Sequence, residues 1–136
     1  MDLRRFLLAA IGSTLMCLGA MASDTWVVNS SGDTIWYDFH DKYAEVTYKG
    51  KYSDSCKNEY SKSVAISGKV TYKDVTYKVM TIGNSAFEAC DELTSVVIPN
   101  SVRMIDSYAF SKCFALKSVS IPDSVLYIES GAFARM

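Results

Sequence analysis

The only histidine of the chain, His40, is flanked by Asp38 and Asp41, and this cluster is the first candidate for acid–base chemistry. Acids so close to the histidine in sequence cannot easily adopt the geometry of a catalytic triad. Serine and cysteine nucleophiles elsewhere would therefore lack a convincing base. The sequence shows no phosphate-binding loop, zinc spacing or calcium loop. We predict a non-enzymatic protein without cofactor or metal, in which His40 is an ordinary loop residue.

Two cysteines, Cys90 and Cys113, lie 23 positions apart. If that spacing stacks them on adjacent coils, their Cα atoms lie about 4.8 Å apart, within the range of about 4.4–6.8 Å that a disulfide spans. Both side chains should nevertheless point inward, where cysteine behaves as a small apolar residue. A ladder of buried thiols and a disulfide both remain open, and the sequence does not predict the redox state.

The same 23-residue spacing organises the whole C-terminal half. Residues 82–104 align without gaps on 105–127 and on a partial unit, 128–136. Isoleucine, alanine, phenylalanine, proline, serine and valine recur at matched positions. A period of 20–29 residues with a spaced apolar pattern is typical of a leucine-rich-repeat solenoid.

Each unit predicts one coil. Val96 and Ile98 point to one side of a short strand, and Ser95 and Val97 point to the other. Pro99 ends this strand because proline cannot donate to a ladder. Ala86-Phe87 and its copy predict a short helical or 3₁₀ turn on the far side. One coil cannot bury its own apolar side chains, so parallel coils must stack around a shared core. The predicted core consists of Ile82, Phe87, Cys90, Leu93, Val96, Ile98, Ile105, Phe110, Cys113, Leu116, Val119, Ile121, Ile128 and Phe133.

The pattern from Ile82 to Val102, Ile-Gly-x-x-Ala-Phe-x-x-Cys-x-x-Leu-x-x-Val-x-Ile-Pro-x-Ser-Val, resembles the BspA-like leucine-rich repeats of surface proteins from Bacteroides-type bacteria. The resemblance covers residues 82–136. The second unit departs from it at Asp106, where the pattern has glycine, and the third lacks its strand. The resemblance implies a short or truncated member of a family whose longer members are linked to adhesion and to binding of extracellular-matrix proteins.

Residues 23–81 are predicted to form a β-rich N-terminal cap over the first coil. Residues 34–39 and 44–49 alternate like strands, and residues 70–79 read as a hairpin with Lys73-Asp74 at its turn. Ser63–Ile66 resembles Ser95–Ile98, which indicates a disguised copy of the repeat strand. Tryptophan and tyrosine crowd this segment, where they suit either sheet packing or contact with a ligand.

Residues 1–22 have the features of a secretory signal peptide. Arg4 and Arg5 precede an apolar run over residues 6–18, and Ala20-Met21-Ala22 fits a cleavage site. A lipoprotein anchor at Cys17 is the alternative. No other segment is long and apolar enough to span a membrane. We therefore expect a secreted or cell-surface protein, or alternatively a periplasmic one. Cleavage leaves Cys56, Cys90 and Cys113, an odd number that argues against a disulfide framework.

The net charge of −1 gives no support to nucleic-acid binding. The expected partner is an extracellular or surface protein or glycan, bound through the strand face and the aromatic segment. The predicted face consists of Thr94, Ser95, Val97, Lys117, Ser118 and Ser120. The alternatives are a structural or assembly module, which self-associates through an open C-terminal edge, and a remnant of a longer repeat protein with no ligand of its own. A monomer with a frayed C-terminal tail is a further possibility for that edge.

Overall fold

The computed structural model describes residues 25–29, 32–48, 60 and 62–136. Three features of the sequence lie outside these residues: the predicted signal peptide, the alternative anchor at Cys17, and Cys56. Within the described ranges, no helix has the length and apolar character needed to cross a lipid bilayer.

The described residues form two β-sheets on opposite sides of a common core. The larger sheet has the order β1-β2-β3-β6-β8-β10, with β5 paired to β6, and the smaller has the order β4-β7-β9. The strands of the larger sheet are β1 Trp26–Val28, β2 Thr34–Phe39, β3 Tyr43–Thr47, β5 Lys69–Tyr72, β6 Val75–Ile82, β8 Met104–Ile105 and β10 Tyr127–Ile128. Those of the smaller sheet are β4 Lys62–Ala65, β7 Leu93–Val97 and β9 Ser118–Ser120.

Successive coils stack in register every 23 residues. In the larger sheet Ile82 pairs with Ile105 and Ile105 with Ile128, and all these strand pairs are parallel. Between the sheets the phenylalanine rings form a single column. The centroids of Phe87 and Phe110 lie 5.0 Å apart at 4°, and those of Phe110 and Phe133 lie 5.2 Å apart at 7°. The predicted solenoid is confirmed by this stacking.

The expected helical turns are absent: the described residues contain no helix, and residues 84–89 and 107–112 are consecutive turns. The N–H groups of Ser85, Phe87 and Ala89 donate to carbonyls of the next coil instead of to their own. Ser85 (55°) and Ala89 (58°) have positive φ angles, which a right-handed helix does not allow. Because each of these N–H groups bonds to the next coil, the turns form a third ladder of hydrogen bonds between coils. In a helix the same groups would bond to carbonyls of their own segment.

The disguised repeat copy is confirmed by strand pairing. Ser63 pairs with Ser95, Val64 with Val96 and Ala65 with Val97. The residues between this copy and Ile82 form the antiparallel hairpin β5–β6. Its two-residue turn has positive φ at both Lys73 (49°) and Asp74 (63°), as a type I′ turn requires.

The N-terminal strands continue the larger sheet beyond the first coil. β1, β2 and β3 pair antiparallel, and β3 then runs parallel to β6, with Val46 beside Ile82. Ile35, Tyr37 and Val46 are buried against the solenoid core. The apolar core is thereby continuous from β2 to the repeats.

Most of the predicted core residues are buried. They are Ile82, Phe87, Cys90, Leu93, Val96, Ile98, Ile105, Phe110 and Cys113. Leu116, Val119 and Phe133 are only partly buried. Ile121 and Ile128 differ from the prediction, with exposed fractions of 40% and 52%. Ile121 follows β9 and Ile128 lies in β10, the outermost strands of their sheets in the described chain, so a neighbouring strand packs against one side of each only.

Tyr60 closes the phenylalanine column at its N-terminal end. Its ring lies 4.5 Å from that of Phe87, and it is buried. The hydroxyl donates to the carbonyl of Thr47 (3.0 Å) and accepts from the N–H of Trp36 (3.1 Å). One tyrosine therefore joins β2, β3 and the first coil, a role that the sequence pattern did not reveal.

Cys90 and Cys113 are free thiols in the core. The sulfur of Cys113 donates to the carbonyl of Phe87 at 2.9 Å. Burial raises the pKa of the Cys113 thiol to about 11. The pair thus fits the buried-thiol alternative, in which cysteine fills space between the turns.

Candidate binding surface

The three strands β4, β7 and β9 of the smaller sheet carry the predicted binding face. Their inward residues Val64, Val96 and Val119 stack in register across the strands and pack into the core. Because strand side chains alternate, the neighbours of these valines must point outward. Core packing therefore determines which side chains this sheet presents.

The outward side chains form two rows of short residues. The first row is Ser63, Ser95 and Ser118, and the Ser95 hydroxyl donates to that of Ser63 at 2.7 Å. The second is Ala65, Val97 and Ser120, in which Val97 is 49% exposed. We call these six residues the sheet face. Because none of the six is longer than valine, a partner can approach the strands closely.

The six predicted face residues occupy this sheet or its margin. Ser95, Val97, Ser118 and Ser120 belong to the sheet face. Thr94 is half-buried, because a register shift between β4 and β7 sets it off the ladder. Lys117 is exposed just before β9, where its N–H donates to the carbonyl of Thr94 at 2.9 Å.

Ser63 and Ala65 belong to the sheet face but were not predicted to do so. The signal was present, since residues 63–66 align with 95–98. Extending the outward positions of β7 to that alignment identifies both residues. The third strand widens the surface to about 10 Å between its outer strands.

An apolar pocket adjoins the sheet face at the third coil. It has a volume of about 200 Å³ and is lined by Leu116, Lys117, Ser118, Val119, Ile121, Phe133 and Met136. Lys117 and Ser118 thus border both surfaces. A partner lying along β9 would meet short hydroxyls on one side and apolar side chains on the other.

His40 lies at the margin of the larger sheet. His40 lies in the turn between β2 and β3, with its Nε2 atom 3.7 Å from a carboxylate oxygen of Glu45. Burial raises the pKa of Glu45, Asp38 and Asp106 add to the rise, and His40 opposes it. No group of three or more His, Cys, Asp or Glu residues suited to a metal ion occurs in the described part of the chain. The acid that pairs with His40 is therefore Glu45 of β3.

A family model described as BspA type leucine-rich repeat region (6 copies) matches residues 53–136. The match begins before residue 82 and so includes the segment of the disguised copy. No curated protein matches the chain.

Solved leucine-rich repeat proteins share the fold. One from Bacteroides ovatus is 36% identical with a TM-score of 0.56, over 67% of this chain and 23% of its own length. One from Bacteroides capillosus is 30% identical with a TM-score of 0.61, over 73% and 69% respectively. A leucine rich cell surface protein from Faecalibacterium prausnitzii is 27% identical with a TM-score of 0.54, over 76% and 26%. The chain thus spans about a quarter of the first and third of these proteins.

Proposed function

Because the chain belongs to the BspA-type leucine-rich repeat family, we propose that it is a non-catalytic, exported protein that binds a macromolecular partner at the cell surface. The sheet face is the proposed binding site and an extracellular protein the proposed partner. The description of the Faecalibacterium relative as a cell surface protein supports this location. In the same proposal, β1–β3 act as a cap that shields the first coil from solvent.

The observation that carries this proposal is the pairing of a stiff sheet with short outward side chains. The sheet is fixed from below by Val64, Val96 and Val119. A surface that is ordered before binding loses little conformational entropy when a partner docks. Exposed Val97 supplies apolar area, and the serine hydroxyls supply donors and acceptors around it.

The test is a binding assay against a panel of purified extracellular-matrix proteins. The double substitution Ser118→Arg and Ser120→Arg places two long charged side chains on exposed positions of β9. We expect the Kd to rise at least about 10-fold, because long side chains on the sheet face hold the partner away from its short side chains. Biolayer interferometry measures the change.

The matched control is Thr76→Arg with Asn84→Arg, which adds the same charge at exposed positions outside this sheet. It should leave the Kd within about twofold of the original. Equal weakening by both double variants would show that charge, and not the sheet face, determines binding. A photo-crosslinking amino acid at position 118 should in addition label the bound partner.

A further inference from the structure

A concave site lies on the larger sheet, away from the sheet face. It is a shallow cleft of about 550 Å³, wide open to solvent, beside the turn that joins β2 to β3, and it is lined by Phe39, His40, Asp41, Lys42 and Tyr43. A protein interface needs roughly 800 Å² from each partner, far more than five consecutive residues offer. The dimensions therefore favour a small ring over a protein surface.

The aromatic rings of the cleft are held in place by their neighbours. The rings of His40 and Tyr43 stack with centroids 4.5 Å apart at 22°, and the N–H of His40 donates to the carbonyl of Tyr43 at 2.9 Å. Phe39 packs between Tyr72 at 4.6 Å and Tyr77 at 4.9 Å, so these neighbours already occupy its ring. Since the His40 and Tyr43 rings are already ordered, a ligand that stacks on them incurs little entropic cost.

The polar groups of the cleft have balanced charge. Asp41 and Lys42 are both exposed, and among the described residues no ion pair involves either of them. The carboxylate can accept hydrogen bonds and the ammonium can donate them. His40 already has Glu45 beside it. A ligand with hydroxyls around an apolar ring face, and without net charge, fits such a lining.

We propose that this cleft binds a neutral pyranose ring of a glycan. The apolar C–H face of the sugar stacks on the Tyr43–His40 pair, while its hydroxyls bond to Asp41 and Lys42. This activity goes beyond the proposed protein binding and uses a different sheet, so each can fail without the other. The same ring chemistry occurs in host glycans and in microbial polysaccharides, and the test distinguishes these sources.

The experiment is saturation-transfer NMR and calorimetric titration of the purified chain. The probes are methyl β-galactopyranoside and methyl α-glucopyranoside, then N-acetyllactosamine as the host arm and isomaltotriose as the microbial arm. We expect saturable binding of at least one sugar, with the strongest transfer to its axial C–H protons. The arm with the lower Kd identifies the source. If none of the four sugars binds saturably at concentrations on the order of 10 mM, the proposal is wrong.

Substitutions locate the site. Asp41→Ala and Lys42→Ala change exposed turn residues and should each raise the Kd at least about 5-fold without altering the fold, since each removes a charged hydrogen-bonding group. Tyr43→Ala should raise it about 10-fold or more, whereas Tyr43→Phe keeps the ring and should bind normally. Phe114→Ala removes an exposed aromatic ring elsewhere and is the control.

Two results would contradict the assignment. Unchanged affinity in Asp41→Ala and Lys42→Ala would place the sugar outside the cleft. Tetralysine serves as a cationic probe. If it binds without displacing the sugar, and Asp41→Ala abolishes its binding, the cleft recognises cations and the sugar binds elsewhere.

Discussion

Gly83 shows how a single position adapts to what lies beside it. A Cβ there would collide with the carboxylate of Glu45 and lie 2.8 Å from the carbonyl of Val46. The equivalent residue of the next coil is Asp106, whose N–H donates to Ile82 as that of Gly83 donates to Val46. Glycine is required only where β3 adjoins the repeats, which explains why the pattern can depart at Asp106.

Glu45 yields a prediction about pH. Its pKa is raised, chiefly by burial, so the folded state holds the proton more tightly than the unfolded state does. Stability therefore falls as pH rises through the ordinary glutamate range towards the raised pKa. Glu45→Gln lacks this titration. We expect the variant to gain stability relative to the original chain as pH increases from about 4 to 7, as measured by urea unfolding.

Glu92→Gln is the control, because it removes a carboxylate from an exposed position next to β7. It corrects for the general effect of losing one negative charge. A stability difference between Glu45→Gln and the original chain that shrinks with rising pH would contradict burial as the main cause.

At the scale of elements, the strands and the hairpin turn at Lys73-Asp74 were predictable, whereas the turns of the coils were not. Alternation and period identified β2, β3, β7 and the copy in β4, because inward residues must be apolar whatever their neighbours are. The turns depend on positive φ at residues such as Ser85 and Ala89, which carry no glycine signal. Hydrogen bonds to the next coil stabilise these φ angles. The sequence pattern of a single coil does not reveal such bonds.

Of the two candidate sites, only the sheet face could be predicted from the sequence. Outward positions of β7 and β9 followed from the strand period alone. The cleft residues 39–43 are consecutive in the sequence, but the cleft itself was not predicted, because it depends on the stacking of the His40 and Tyr43 rings across the turn.

The phenylalanine column supports a prediction on stability. Phe110 is fully buried between two stacked rings. Phe110→Ala should lower the free energy of unfolding by about 3–5 kcal/mol, since both the transfer energy and the cavity contribute. Urea denaturation followed by circular dichroism measures the loss.

Phe114→Ala tests the same substitution at a 68% exposed position of the same coil. It should change stability by no more than about 0.5 kcal/mol. Similar losses for both variants would mean that the column does not hold the coils together.

At the scale of the whole molecule, the two sheets separate the two proposed activities. The sheet face lies on β4, β7 and β9, and the cleft lies beside β2 and β3 of the other sheet. A macromolecular partner and a glycan can therefore bind together without competing. Any coupling between them has to pass through the shared core.

Tyr60 has a consequence for how such a protein can change in length during evolution. Its hydroxyl is engaged with the backbone of Trp36 and Thr47, so another ring inserted on that side would strip a polar group of both bonds. Duplication of a unit such as 105–127 meets no such obstacle, because phenylalanine stacks equally on phenylalanine. Gene variants of this architecture should therefore gain or lose repeats downstream of Tyr60, while the β2–β3 segment stays constant in size.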